Sequence, residues 1–286
     1  MRKLDQDKEV LMRAGQIIRT TIISLAFATT TQAALWFKIP NANEEIKQFG
    51  KASKEELDPH KIEVMIWNQY KGKERSYRRE YQRLGHGKDV LILQEAVMDK
   101  KMSQIFSSQR DIHTIFASSF VYRLRNKATG VASAARVKAS SYLAQRSRGK
   151  EIVGSTPKMV LFATYPLKGR SDELMTVNIH ALNSVTWQTL AVQILDALKV
   201  VNAHEGPVVF GGDFNTWSKK KLEYVFHAMK KAGLEEVKFA HAERKMKVFG
   251  RELDHAFTRG LKISNAIVEK TDGADHQPLL LRAQVR

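Results

Sequence analysis

The chain has 286 residues, a formal net charge of +17 and no cysteine. The missing cysteine excludes disulfides, thiolate metal sites and cysteine nucleophiles, and the length suffices for a layered α/β domain with a sizeable core. The charge points to a polyanionic partner, nucleic acid or anionic lipid headgroups, without choosing between them.

In chain order, Met1–Arg19 is polar and mixed in charge, and Thr20–Phe37 carries no charged residue around the apolar centre Ile22–Ala28. That run is short for a membrane span, which needs about 20 apolar residues. It has a basic lead at Arg13 and Arg19 and small residues at Thr31-Gln32-Ala33-Ala34, the pattern of a signal peptide. Segment 1–37 is therefore read as a signal or anchor-like leader, with export to the periplasm or medium as the expected location; without a signal the location is cytoplasmic. Segment 38–61 is polar and reads as a linker or surface helix, and 62–286 as the domain.

Ile62–Trp67 and Asp89–Leu93 are apolar runs expected to form buried strands, ending in Asn68 and in Gln94-Glu95. Between them Tyr70–Arg83 is dense in charge and reads as a helix with a solvated face. Ile112–Ser119 and the stretch after Asn126 read as further strands, and Ser140–Lys150 as an exposed basic loop. Met159–Tyr165 and Leu174–Ile179 read as a strand pair turning at Lys168–Asp172, with His180 at the end. Trp187–Ala203 has the apolar spacing of an amphipathic helix.

Gly206–Trp217 is the most informative stretch. Val208–Phe210 reads as a buried strand, and Gly211-Gly212 as a sharp turn delivering Asp213 and Asn215. A carboxylate beside a carboxamide suits a hard cation and an anionic oxygen, although an Asx turn uses the same residues. Lys219–Ala232 reads as a helix ended by Gly233, and Val248–Phe257 as one strand carrying Asp254. Leu261–Val268 and Leu279–Leu281 complete the strands, the last preceded by Asp275-His276.

Polar residues thus end one apolar strand after another: Asn68, Glu95, His180, Asp213 and Asn215, with Asp275 and His276 opening the last. Rigid sheets aim groups placed there. Oxygen ligands suit Mg²⁺ or Mn²⁺, and imidazole can take or give a proton near neutrality.

Gln94-Glu95, Asn178-Ile179-His180, Gly211–Asn215, Leu253-Asp254 and Asp275-His276-Gln277-Pro278 resemble, in order, the motifs of the endonuclease/exonuclease/phosphatase (DNase I-like) superfamily. Tyr165-Pro166-Leu167 and Phe249-Gly250-Arg251 are similar to its bacterial YafD-like branch. The resemblance covers Ile62–Arg286 and implies a four-layer α/β sandwich: two facing mixed sheets flanked by helices, with the site at one edge. It implies Glu95 as principal Mg²⁺ ligand (Mn²⁺ being the alternative), Asn68 beside it, and Asp275 holding metal or positioning His276. Asp213 would orient or deprotonate water, and Asn215 hold a phosphate oxygen. His276, paired with Asp254, would act as base or phosphate contact, and His180 as acid or phosphate donor; Asp254 has Arg251 as its alternative partner. Position 70 is Tyr and position 180 is His, which sets the chain nearer the DNase I and sphingomyelinase-like branches than the apurinic endonucleases. His204 and His255 lie outside the motifs and read as structural.

Trp217 and Lys219, Lys220 and Lys221 follow the Asp213/Asn215 turn. They suit substrate binding, with lysines on phosphates and Trp217 on a base, or else a solvated first turn with Trp217 packed on the core. The leading expectation is a metal-dependent phosphodiesterase acting on DNA or RNA. A lipid phosphodiesterase or phosphatase of the same fold, and a basic binding module without catalysis, are the alternatives. A monomer with no protein partner is expected.

Overall fold

The computed structural model describes residues 36–152 and 154–286. Most of the leader segment lies outside the described residues. Among those described, no helix is long and apolar enough to cross a membrane.

Two sheets face each other. The first contains β1 (Phe37–Lys38), β2 (Ile46–Gly50), β3 (Ile62–Asn68), β4 (Val90–Val97), β5 (His113–Tyr122), β6 (Lys127–Ala135), β15 (Leu261–Val268) and β16 (Leu279–Val285). Its order is β1-β5-β6-β4-β3-β16-β15, with β2 also on β5. The second contains β7 (Ser141–Arg146), β8 (Met159–Pro166), β9 (Glu173–His180), β10 (Val208–Asp213), β11 (Glu235–Glu236) and β14 (Asp254–Arg259). Its order is β11-β14-β10-β9-β8-β7. A small hairpin, β12 (Lys247–Val248) with β13 (Arg251–Glu252), stands apart. The helices are α1 (Ala42–Glu45), α2 (Tyr77–Gly85), α3 (Lys100–Ser108), α4 (Trp187–Asn202) and α5 (Lys219–Lys231).

Alternation of side chains along each strand builds the layers. Val64 and Ile66 of β3, Val90 and Ile92 of β4 and Val209 of β10 meet between the sheets. Their neighbours Met65, Trp67, Leu91 and Leu93 pack outward on Tyr77, Tyr81 and Phe106 of α2 and α3. Val208 and Phe210 pack outward on Leu190, Ile194, Val225 and Met229 of α4 and α5. Helix, sheet, sheet and helix give the expected four layers. Both sheets are mixed: β3 runs parallel to β4 and β9 parallel to β10, each pair joined through a crossover helix.

The sequence reading needs correction in five places. Tyr70–Arg83 is not one helix: Tyr70–Gly72 is a 3₁₀ turn with Lys71 at φ 57°, and α2 starts only at Tyr77. Segment 38–61 is not a linker: α1 leads into β2, which pairs with β5 from Ile46↔Ala117 to Gly50↔His113, and even Phe37 of the leader pairs with Tyr122. The strand is short and polar on one side, and its partner lies far along the chain, so no local periodicity announces it. Ser140–Lys150 is not a loop. Its first half is β7, an edge strand whose residues are exposed or half-buried and therefore carry no apolar alternation. Val248–Phe257 is not one strand. Phe249 (φ 50°) and Gly250 (φ 75°) form a tight turn between β12 and β13, with positive φ at both central residues. Finally, Gly211-Gly212 does not turn the chain, since β10 stays paired on both sides through Asp213. The glycines serve close approach instead. A Cβ on Gly211 would lie 2.5 Å from Ile66 of the facing sheet, and one on Gly212 would lie 2.0 Å from the Ile179 carbonyl oxygen.

Candidate active site

Strand register alone aligns three of the predicted residues. In the parallel pair β9/β10 His180 stands beside Asp213, and in the antiparallel pair β10/β14 Asp213 stands beside Asp254. In the facing sheet, Asn68 ends β3 beside Gln94 of β4. The sheets meet here: Asn68 Nδ2 donates to Asp213 Oδ2 at 3.1 Å. Asp213 Oδ1 accepts the Asn215 backbone N–H at 3.0 Å. The Asx turn and the site are therefore one feature, with Asn215 at φ 51° rather than extended. The Asn215 carboxamide donates to the Ala181 carbonyl at 2.9 Å, which locks it against the end of β9.

His276 enters from the loop before β16. Its Nδ1 lies 2.7 Å from Asp254 Oδ2, so Asp254 pairs with His276 and not with Arg251. Trp67 Nε1 donates to the His276 carbonyl at 3.0 Å and holds the loop down on β3. Asp213, Asp254 and His276 are all buried, with ligand-type atoms within 4.8 Å of one another.

Glu95 sits on a kink. The β4/β6 register slips between Leu93 and Ala96, and Glu95 has φ 54°. This bulge turns the carboxylate out of the strand alternation, at the cost of a backbone state that non-glycine residues rarely adopt. Lys71 faces it, Nζ to Oε2 3.7 Å. A crevice of about 30 Å³ lies between Glu95, Lys71, Ser119, Lys158 and His180. That is room for a water or a small ion. Ser119 Oγ is buried there with no partner among the described residues. Asp275, exposed beside His276, completes the acidic edge.

The electrostatics separate the two imidazoles. Burial opposes charge on His276, but Asp254, Asp213 and Asp275 outweigh it and raise its pKa to about 10, so the ring is an imidazolium at neutral pH. His180 is held well below the usual histidine range by burial and by Lys158, and is neutral. Lys158 Nζ lies 3.4 Å from His180 Nε2, and that nitrogen lies 3.7 Å from Asp213 Oδ2. Burial pushes the Asp213 carboxyl up to about 7, with Asp254 and Glu95 adding to the rise and His276 opposing it. Asp275, open to solvent on one side, is raised by desolvation of its inner side and by Glu95, with His276 opposing.

Four residues escaped the sequence reading. Lys71 was submerged in the Tyr70–Arg83 charge run, and Lys158 had no motif around it. Gln94 and Asn178 were seen only as motif letters, yet they tie the sheets together beneath the site. Gln94 Nε2 donates to Asn178 Oδ1 at 2.7 Å, and Asn178 Nδ2 donates to the Leu93 and Ala132 carbonyls at 3.1 and 2.9 Å. A buried polar bridge leaves no periodic signal, and only its partner's position reveals it.

The rim residues divide. Lys219 and Lys220 are exposed at the start of α5. Lys221 is buried: its ammonium lies 4.3 Å from the centre of the Trp217 ring and donates to the Asn183 carbonyl. Burial lowers its pKa to about 8. Trp217 donates to the same carbonyl at 3.2 Å and meets Phe249, which is 79% exposed, edge-on. His204 and His255 are structural: one faces the Glu173 carbonyl, the other is buried against Thr216 and Phe226.

A UPF0294 protein of Vibrio campbellii is 32% identical to this chain over 224 residues, spanning 77% of this chain and 76% of that one. The chain belongs to the UPF0294 family. A second UPF0294 protein, from Vibrio parahaemolyticus, is 29% identical over 279 residues, 91% of this chain and 96% of its own. No family model matches the chain. Among solved structures, the UPF0294 chain is similar to an endonuclease/exonuclease/phosphatase of Beutenbergia cavernae (TM-score 0.60, 12% identity, 79% of this chain and 72% of that one). It is also similar to the human nocturnin catalytic domain with bound sulfate (TM-score 0.59, 18% identity, 81% and 96%). A mannosyl-6-phosphatase of Bacteroides thetaiotaomicron aligns with TM-score 0.58 at 13% identity, over 78% and 99%. The UPF0294 chain has the endonuclease/exonuclease/phosphatase, DNase I-like fold.

Proposed function

We propose that this UPF0294 protein is a divalent-metal-dependent phosphodiesterase whose substrate is nucleic acid. One observation carries the reading: Asn68, His180, Asp213, Asp254 and His276, drawn from both sheets, converge at one sheet edge beside Glu95. The donor set fits a hard cation: the charge of Glu95 raises the carboxyls of both Asp213 and Asp275, and the unpartnered Ser119 hydroxyl lines a crevice of ion size. Glu95 and Asp275 would hold Mg²⁺ or Mn²⁺, which polarises a phosphoryl oxygen when bound.

The chain's own groups do the rest. Lys71 and Lys158 bind phosphate oxygens at the crevice. Asp213, with its carboxyl raised to about 7, accepts the proton of the attacking water. The His276 imidazolium, oriented by Asp254, donates toward the leaving oxygen. Asn68 and Asn215 hold Asp213 in place. The net charge of +17, the exposed Lys219 and Lys220 and the Trp217–Phe249 rim favour a polyanion with bases to stack. A mannosyl-6-phosphatase and a sulfate-bound catalytic domain among proteins of the same fold are consistent with phosphoester chemistry.

A plasmid-nicking assay with and without Mg²⁺ or Mn²⁺ tests this, comparing the parent with Glu95→Ala and His180→Ala. Metal-dependent nicking lost in both variants is expected. Equal nicking by the variants would refute the site. No nicking by a folded parent that hydrolyses phospholipid or phosphomonoesters would replace the substrate.

A further inference from the structure

A second feature lies on the first sheet's edge, beside the cleft and outside the catalytic set. The β5–β6 connection is a single 3₁₀ turn, Arg123-Leu124-Arg125. Its central leucine is 76% exposed. Trp36 and Ile39, on either side of β1, are also exposed on this edge, at 54% and 43%. The edge is rigid beneath these side chains: Phe37, Phe120 and Tyr122 pack as a triad with ring centres 5.1 to 5.4 Å apart, and Arg123 Nε donates to the Phe37 carbonyl. Trp36, Leu124, Arg125 and Lys73 line an open cleft of about 540 Å³, together with Lys71, which faces Glu95, and Lys127, which faces Asp99. Among the described residues, Arg123, Arg125 and Lys73 face no carboxylate within salt-bridge distance.

We propose that this edge rests on a bilayer surface containing anionic phospholipid. Three observations select that partner. Exposed aliphatic side chains flanked by unpaired arginines are what an interfacial anchor needs: the apolar group enters the headgroup boundary and the cations meet lipid phosphates. Of the three exposed apolar side chains only Trp36 could stack on a base; Leu124 and Ile39 have no face to stack, and an indole also seats at the headgroup level of a bilayer. The chain also enters the described fold at Trp36, and the uncharged run Thr20–Phe37 ends on this same edge. An apolar segment entering there adds to the apolar character of this face. The surface stands independently of the nuclease reading, since none of these residues but Lys71 belongs to the site.

The test is co-sedimentation of the full chain with vesicles of phosphatidylcholine alone and of phosphatidylcholine mixed with phosphatidylglycerol. Binding only to the anionic vesicles, weakened by salt, is expected. Replacing both arginines (Arg123→Gln with Arg125→Gln) lowers partitioning by about tenfold or more. Leu124→Ser lowers it by about fivefold. All these side chains are exposed, so phosphoesterase activity on a small soluble ester stays at the parent level and reports an intact fold. Variants that sediment like the parent would overturn the proposal. So would variants that keep vesicle binding but lose affinity for single-stranded DNA, which would make the edge a nucleic-acid groove.

Discussion

The floor of the cleft and its rim are built on different terms. On the floor, Asn68, Asp213, Asp254 and His276 are buried and bonded in pairs, Asn68 to Asp213 and His276 to Asp254, with the first three set by strand register and His276 by the loop before β16. On the rim, Lys219, Lys220 and Phe249 are exposed, and Lys221 and Trp217 bond to the nearby Asn183 carbonyl instead of to the floor. A buried polar network has no slack: losing one member leaves the others unpaired in a low-dielectric site. The rim's exposed members Lys219, Lys220 and Phe249 are solvated and can change with little cost to the fold. The floor should therefore control turnover, and the rim affinity.

The sharpest test of that contrast is on the floor. Asp254→Asn and His276→Ala each lower kcat by about 10²- to 10⁴-fold, the range for a positioned proton-transfer group, with near-parental circular dichroism for Asp254→Asn. A loss below about tenfold would remove the dyad from the chemistry. Glu95→Gln comes next: about a hundredfold loss of activity, with the dependence on Mg²⁺ concentration shifted to higher values. An unshifted metal titration would remove Glu95 as a ligand.

The scaffold beneath the floor is tested by Gly212→Ala. The new methyl would lie 2.0 Å from the Ile179 carbonyl at φ 147°, so β9 and β10 must separate. A stability loss of about 3 kcal/mol or more is expected in urea unfolding. The charge state of the floor is tested by pH. His276 has its pKa raised from 6.5 to about 10 in the folded chain. The folded state binds that proton more tightly, so its contribution is fully present below pH 6.5 and is lost as pH rises through about 10. The melting temperature should fall across that window, and His276→Gln should flatten the fall. Smallest is the rim. Lys219→Ala with Lys220→Ala raises KM for DNA by about three- to tenfold and flattens its salt dependence, with kcat unchanged. A fall in kcat would place these lysines on the floor's side of the division.

Much of the fold was legible because its strands are buried on both faces. Ile62–Trp67, Val90–Leu93 and Val208–Phe210 read as apolar runs, and each has a polar residue at the end nearest the site. The edge strands were not legible. β2 and β7 are half-solvated, and their place depends on partners far along the chain, Ala117 for Ile46 and Thr164 for Ser141. The same division runs through the site. His180, Asp213 and His276 stand in motifs, whereas Lys71 and Lys158 became part of it only when β4, β8 and β9 were brought together.

The sequence by itself determined the residue types that reach the site and the order in which the strands deliver them, because apolar runs and strand-end polar residues are local features. Tertiary structure decided the rest. Register set His180 and Asp254 on either side of Asp213, a bulge aimed Glu95, and the Gln94–Asn178 bridge clamped the sheets beneath them. It also buried Lys221 while leaving its two neighbours in water. Burial and charge then made one imidazole cationic and the other neutral. A protonation state is a sum over neighbours in space, and no stretch of sequence contains those neighbours.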